Sequence, residues 1–222
     1  MPYPKHPDTI IVKNEFYPNG LKEIDIWNHY QRAKVKNSIL AEIKGRPVIV
    51  VLIIDGTRIV RRFPVAPPYD KMITGRTISV HTTIKARDTF FVVDIDAGKN
   101  VTFSDVKKAT AEVYKVMVKN LGATEIRFTG SGFHLIHNSG KVRPVEKNKE
   151  ILRSILLSNF EGKYLVAAVT APPNQINLDL APMKRLGGHI CRYSLAENGL
   201  ICLPVSISKL TSFSKQEAIF RP

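Results

Sequence analysis

Apolar positions recur along this chain with two periods, one helical and one of two residues. Ile24, Trp27, Tyr30–Gln31, Lys34–Val35 and Ser38–Ile39 fall at helical spacing, predicting a helix over 23–42 that Gly45-Arg46-Pro47 ends. Val48–Ile54 is an unbroken β-branched run and reads as a buried strand. Asp55-Gly56 is a hairpin signal, with Arg58–Phe63 returning and 64–68 a proline-bounded loop. Strands are expected at 77–84 and 89–95. An amphipathic helix follows over 104–121, with Val106, Ala109, Val113, Val116 and Met117 inward and Gly122 as its stop. Short strands at 125–128 and 133–137 flank a glycine-rich turn. A second helix is read at 148–160, then strands at 164–169, 175–180, 189–193 and 200–205. Strands outnumber helices and lie close enough for hairpins, so the expected class is α+β, an antiparallel-rich sheet with helices packed on it.

Composition narrows the possibilities. With 222 residues, 44% of them hydrophobic, the chain can bury a core and is not a disordered tail. Its longest apolar run, Val48–Ile54, falls short of the roughly 20 residues that span a bilayer. The segment Met1-Pro2-Tyr3-Pro4-Lys5 has no apolar signal core, so a soluble cytoplasmic protein without a membrane partner is expected. Cys191 and Cys202 sit in no Cys-x-x-Cys pair, which argues against structural zinc. They could face each other across a hairpin; two buried thiols is the favoured reading. The formal net charge of +14 favours a polyanionic partner, nucleic acid or nucleotide, without saying which.

Three stretches carry candidate chemistry. In Phe90-Phe91-Val92-Val93-Asp94-Ile95-Asp96-Ala97-Gly98 an apolar strand carries aspartates at i and i+2, on one face. Two carboxylates there repel each other, and a Mg²⁺ or Mn²⁺ ion removes the repulsion. Taken alone, the pair is also what a solvated strand end before a glycine turn presents, and nucleotide-sugar transferases use the same Asp-x-Asp for a metal-diphosphate. Asp179 interrupts a second apolar strand, Ile176-Asn177-Leu178-Asp179-Leu180, and a pairing beside Asp94 and Asp96 would complete a cage for two metals; it could instead accept bonds from Lys184 or Arg185. In Thr129-Gly130-Ser131-Gly132-Phe133-His134 the glycines let backbone N–H groups approach a phosphate, with the Ser131 hydroxyl and the His134 ring as further donors; a tight hairpin with a buried histidine is the plain alternative. Arg192, in an otherwise apolar strand register, suits a phosphate oxygen or one of the aspartates.

Together these elements resemble the archaeo-eukaryotic primase superfamily: Asp94 and Asp96, then Thr129–His134, then Asp179, then Arg192-Tyr193-Ser194-Leu195 with Gly199. The N-terminal half is most similar to the polymerase domain of bacterial DNA ligase D, an end-joining repair enzyme. That likeness rests on His6-Pro7-Asp8, Tyr17-Pro18-Asn19-Gly20-Leu21-Lys22, Trp27 and Tyr30, Gly45-Arg46-Pro47 and Ile78-Ser79-Val80-His81. The triphosphate turn is one residue shorter than the ligase D form and lacks its lysine, and Gln175–Leu195 is closer to replicative primase small subunits.

The resemblance implies a single primase-type catalytic domain over 1–222, with an RRM-like lobe. About 1–75 would be its part for DNA and the 5′-phosphate, and about 76–210 its catalytic core. It implies Asp94, Asp96 and Asp179 as catalytic ligands of two Mn²⁺ or Mg²⁺ ions. Ser131, Gly132, His134, Arg192 and Ser194 would contact the nucleotide. Lys22 would meet a downstream 5′-phosphate; the second lysine of many relatives is here Thr9, with Lys13 as substitute. The implied partners are primer-template or gapped DNA, NTP or dNTP, and a separate ligase and Ku-like protein. The rival readings are a primase that starts chains de novo, replicative or associated with mobile elements or CRISPR; a nucleotide-sugar transferase; and a non-catalytic single-strand-binding module.

Overall fold

A computed structural model describes residues 3–167 and 169–221. In chain order the elements are β1 (Ile10–Asn14), β2 (Tyr17–Lys22), α1 (Glu23–Gln31), α2 (Ala33–Ile43), β3 (Val48–Ile54), β4 (Thr57–Phe63), α3 (Tyr69–Met72), β5 (Thr77–Thr83) and β6 (Arg87–Ala97). There follow α4 (Phe103–Leu121), β7 (Thr124–Phe128), β8 (Phe133–Pro144), α5 (Val145–Phe160), β9 (Ile176–Asp179), β10 (Gly188–Ile190), β11 (Pro204–Val205), α6 (Ile207–Leu210) and a 3₁₀ turn, Lys215–Ala218. β1–β2, β3–β4, β3–β5, β6–β8, β6–β9, β7–β8 and β7–β11 pair antiparallel, in keeping with the α+β class expected from the sequence. The chain divides into two compact units: Met1–Thr83 with Ile190–Leu203 and Ser214–Pro222, and Ile84–His189 with Pro204–Phe213.

In the first unit β3 lies between β4 and β5. Ile26 and Tyr30 of α1 and Val35, Ile39 and Ile43 of α2 share one buried core with Val48, Val50, Val80 and Ile78. The expected helix over 23–42 is in fact two, broken at Arg32, whose backbone leaves the helical region (φ −58°, ψ 128°). No glycine or proline marks the break, and the apolar spacing runs through it. α1 is started by the Asp25 carboxylate, which accepts from the Lys22 backbone N–H at 2.9 Å. The β1–β2 hairpin and α3 lie outside the elements read from the sequence.

In the second unit the five-strand order is β11-β7-β8-β6-β9. One face is apolar: Phe91, Val93 and Ile95 of β6 stand in register with His137, Leu135 and Phe133 of β8, and Phe128 of β7 is opposite Phe133. Phe103 of α4 stacks on Phe133 at 5.7 Å, and Phe213 lies 5.1 Å from Phe128. α4 is N-capped by Thr102, whose hydroxyl accepts from the Asp105 N–H, and ends at Gly122 (φ 106°) as its sequence predicts.

Five of the expected strands change. β6 and β8 run longer than expected, 87–97 and 133–144, because they pair with each other along Arg87–Asp88 as well as Phe90–Ile95. The segment expected as a strand at 164–169 makes only one bridge, Leu165 to Asn177, and residue 168 lies outside the described residues. Strand 189–193 is confined to β10 and then turns, and 200–205 is regular only at β11. Cys191 and Cys202 are both buried. No helix among the described residues is long and apolar enough to cross a membrane.

Candidate functional site

The other face of the second unit's sheet carries polar side chains toward one end of β6, and the register decides which of them meet there. On β6, Asp94 is opposite His134 of β8 on one side and Asp179 of β9 on the other; Asp96 is opposite Asn177. Directly opposed residues of an antiparallel pair project to the same side, with Cβ atoms about 5 Å apart. The three aspartates named from the sequence therefore share one face, with Asp94 between His134 and Asp179.

The pairing also fixes how each carboxylate is used. His134 Nε2 lies 3.3 Å from Asp94 Oδ2, while Asp94 Oδ1 is buried and without a hydrogen-bond partner. His134 Nδ1 is likewise buried without one. Asp179 Oδ1 accepts from the Ala181 N–H at 2.6 Å. Burial pushes the Asp96 carboxyl up to about 6, and the neighbouring Asp94 and Asp179 charges push the same way while His134 opposes them. Burial is the main cause of the upward shift at Asp179 as well. Asn177 is fully buried: its Nδ2 donates to the Val169 carbonyl at 2.5 Å and its Oδ1 accepts from the Ala167 N–H, so it ties the preceding loop to β9. Asp96 and Asp179 line a cavity of about 520 Å³ with Ala97, Val169, Thr170 and Ala171.

Two glycines are required by close approach. A Cβ on Gly132 would sit 2.3 Å from the Ile95 carbonyl oxygen, and one on Gly98 would sit 1.8 Å from that of Pro172. The first lets the 129–132 turn, closed by the Thr129 N–H to the Gly132 carbonyl at 3.0 Å, lie against β6. Ser131 at its tip is exposed.

Among the described residues, no group of three or more His, Cys, Asp or Glu side chains is arranged to hold a metal ion. Three bare carboxylates repel one another. An all-carboxylate oxygen set suits Mg²⁺ or Mn²⁺. The buried, unpartnered Asp94 Oδ1 is an acceptor that lacks a counterpart. On both counts the residues fit a divalent cation.

No protein-family model matches the sequence, and no curated protein matches it significantly. In three dimensions the chain matches the polymerase domain from Mycobacterium tuberculosis ligase D in complex with DNA, with a TM-score of 0.72 over 95% of this chain and 92% of that one, at 16% identity. The chain has the fold of that domain.

The remaining site residues named from the sequence, Lys13, Lys22, Arg192 and Ser194, belong to the first unit, not the one that carries the carboxylates. Arg192 Nε lies 3.7 Å from Glu42 Oε1, and Glu42 also accepts from the Arg192 backbone N–H at 3.1 Å. Ser194 is fully buried; its Oγ accepts from the Val80 N–H at 2.8 Å and lies 3.1 Å from the Tyr30 hydroxyl, so its bonding capacity is spent inside the protein. Lys22 Nζ is paired with Asp8 at 2.9 Å, which pushes its pKa up, and Lys13 is exposed on β1.

Sequence reasoning passed over Arg127 and Glu125. Arg127 is opposite His134 on the polar face, 2% exposed, with Nε and Nη2 on the two Glu125 oxygens at 2.9 and 3.1 Å. Their i, i+2 spacing on a strand was the available signal; which face they joined depended on register.

The Asp96 shift has a consequence for stability. A carboxyl raised from 3.8 to about 6 binds its proton more tightly in the folded state, so its stabilisation is full below pH 3.8 and is lost as pH rises through about 6. Asp96→Asn carries no such charge. In metal-free protein it is expected to raise the melting temperature at about pH 7.5, by an amount that shrinks toward about pH 4. Thermal melts at the two pH values check this; an Asp96→Asn chain less stable than the parent at the higher pH would contradict the crowding of charge on this face.

Proposed function

We propose that this protein is a template-directed nucleotidyltransferase, a primase-polymerase that extends a primer 3′ end by two-metal catalysis. The observation that carries the reading is Asp94, set by register between His134 and Asp179 with one buried carboxylate oxygen left without a partner. The fold it shares with a ligase D polymerase domain supports the same reaction class. The net charge of +14 supports a nucleic-acid partner.

Asp94, Asp96 and Asp179 would hold two Mn²⁺ or Mg²⁺ ions. Bound there, the cations supply neutralisation of the triphosphate and a lowered pKa for the attacking 3′-hydroxyl. The chain's own groups do the rest. The 129–132 turn offers backbone N–H groups and the Ser131 hydroxyl to phosphate oxygens, beside Asp94 on β6. His134 holds one oxygen of Asp94 and borders the nucleotide, and Arg192 offers its guanidinium to the triphosphate, exchanging Glu42 for it. The sheet's rigidity keeps the carboxylates in place without reorganisation during the step. A solvated strand-end pair explains neither the burial of Asp96 nor the third aspartate in register.

The pathway we propose is gap filling in end joining, with ribonucleotides used readily and a ligase and a Ku-like protein as separate chains. Lys22 and Lys13 would meet a downstream 5′-phosphate. Asp8 stands in for that anion on Lys22, and a phosphate, with more charge and more acceptor oxygens, is the stronger competitor.

Two outcomes are expected. In template extension with Mn²⁺, Asp94→Ala or Asp179→Ala loses roughly 100-fold or more of nucleotide incorporation while the circular dichroism spectrum is kept; near-normal extension by Asp94→Ala would remove the metal assignment. On a short gap, the parent chain fills faster when the downstream strand carries a 5′-phosphate than a 5′-hydroxyl, and Lys22→Ala narrows the difference. Equal filling of both substrates by the parent chain would leave a general primase-polymerase and remove the end-joining role.

A further inference from the structure

The turn that carries Arg192 is held by more buried polar groups than a connector needs. Tyr193 sits in the left-handed region (φ 61°), where a side chain other than glycine is strained. Its carbonyl oxygen lies 2.8 Å from Nε2 of His29, a residue of α1 that is 1% exposed. A carbonyl only accepts, so His29 carries its proton on Nε2. Its N–H hydrogen bonds extend the hold: the Tyr193 N–H donates to the Cys202 carbonyl at 2.7 Å. The next residue along α1, Tyr30, accepts from the Leu195 N–H at 3.2 Å and meets Ser194 Oγ at 3.1 Å. Burial holds His29 neutral, pushing its pKa down to about 4.

Strain of this kind persists where surrounding structure over-determines it, and such places cluster at functional sites. The His29 ring is itself fixed, edge-on to Phe220 at 4.9 Å and to Tyr30 at 5.2 Å. Cys191, Ser194 and Leu195 are buried, whereas the Arg192 side chain is 45% exposed, with its Nε 3.7 Å from Glu42 Oε1. A fixed peptide on either side of Arg192 sets the direction in which its side chain leaves the backbone.

We infer that His29, with Tyr30, is a positioning residue: by locking the Tyr193 peptide it aims Arg192 at a phosphate of the bound nucleotide. This rests on the proposed nucleotide role of Arg192, and goes beyond it by assigning a function to two side chains of α1 that touch no ligand. The role is one of preorganisation: it fixes the direction in which the Arg192 side chain leaves the backbone, so less backbone freedom is lost on binding.

The test is a double-mutant cycle on the full chain, with Mn²⁺ and α,β-methylene-ATP as the probe, read by isothermal titration; DNA affinity and melting temperature are followed in parallel. Arg192→Ala is expected to weaken nucleotide binding about tenfold, and His29→Leu about fivefold, with DNA affinity unchanged. His29→Gln, whose amide N–H can reach the same carbonyl, is expected to recover to within about twofold of the parent. In the Arg192→Ala background, His29→Leu is expected to have no further effect on nucleotide affinity. Tyr30→Phe, which deletes one oxygen, gives the same cycle should His29→Leu not fold. Equal effects of His29→Leu with and without Arg192, or a lowered melting temperature with unchanged nucleotide affinity, would overturn the positioning role and leave Arg192 standing. Unchanged nucleotide affinity in Arg192→Ala alone would overturn the reading of Arg192 and the positioning role with it.

Discussion

Repulsion among three carboxylates is the constraint around which the second unit is built. Asp94, Asp96 and Asp179 cannot separate, because backbone pairing of β6 with β9 sets them on one sheet face. Burial, reinforced by their mutual charge, pushes the Asp96 carboxyl from 3.8 up to about 6. The opposite face supplies what resists this. Phe91, Val93, Ile95, Leu135 and Phe133 are almost wholly buried, and aromatic rings from α4 and residue 213 close over Phe128 and Phe133. An apolar face that cannot shift without opening the core holds a polar face that electrostatics would otherwise push apart.

The glycines extend the same logic to the surroundings. Gly132 brings the 129–132 turn against the backbone of β6 between the two aspartates, and Gly98 brings the 172–175 loop against the end of that strand. Asn177 spends both ends of its amide on the loop beside the cavity. The consequence is a face where oxygen donors are fixed by hydrogen bonds on their outer sides. Asp94 Oδ2 lies beside His134 and Asp179 Oδ1 accepts from the Ala181 N–H, while Asp94 Oδ1 is left without a partner.

Much of this was legible in the sequence, and the exceptions share a cause. The aspartate pair was readable because a two-residue alternation inside an apolar run assigns a face without knowledge of partners. α4 was readable from its periodicity and its glycine stop. Asp179 needed a partner strand: its own four-residue strand says that it faces one way, not that this way meets Asp94. The same holds for Arg127 and Glu125. The break at Arg32 carries no glycine or proline, so periodicity passed over it. The segment 164–169 has strand composition but bonds to β9 through a single bridge and the Asn177 side chain, a tertiary choice that local propensity does not encode. Ser194 was named with Arg192 from the family resemblance, whereas burial commits its hydroxyl to Val80 and Tyr30. His29 had no motif at all; its meaning depends on a contact across 164 positions of chain.

The central claim is that the carboxylate face is completed by divalent cations. The most direct measurement counts them: titrate the full chain with Mn²⁺ in the presence of α,β-methylene-ATP and follow free Mn²⁺ by electron paramagnetic resonance. The account predicts about two bound ions per chain, with loss of binding when Asp94, Asp96 and Asp179 are all replaced by Asn. A parent chain that binds no more Mn²⁺ than this triple variant would contradict it.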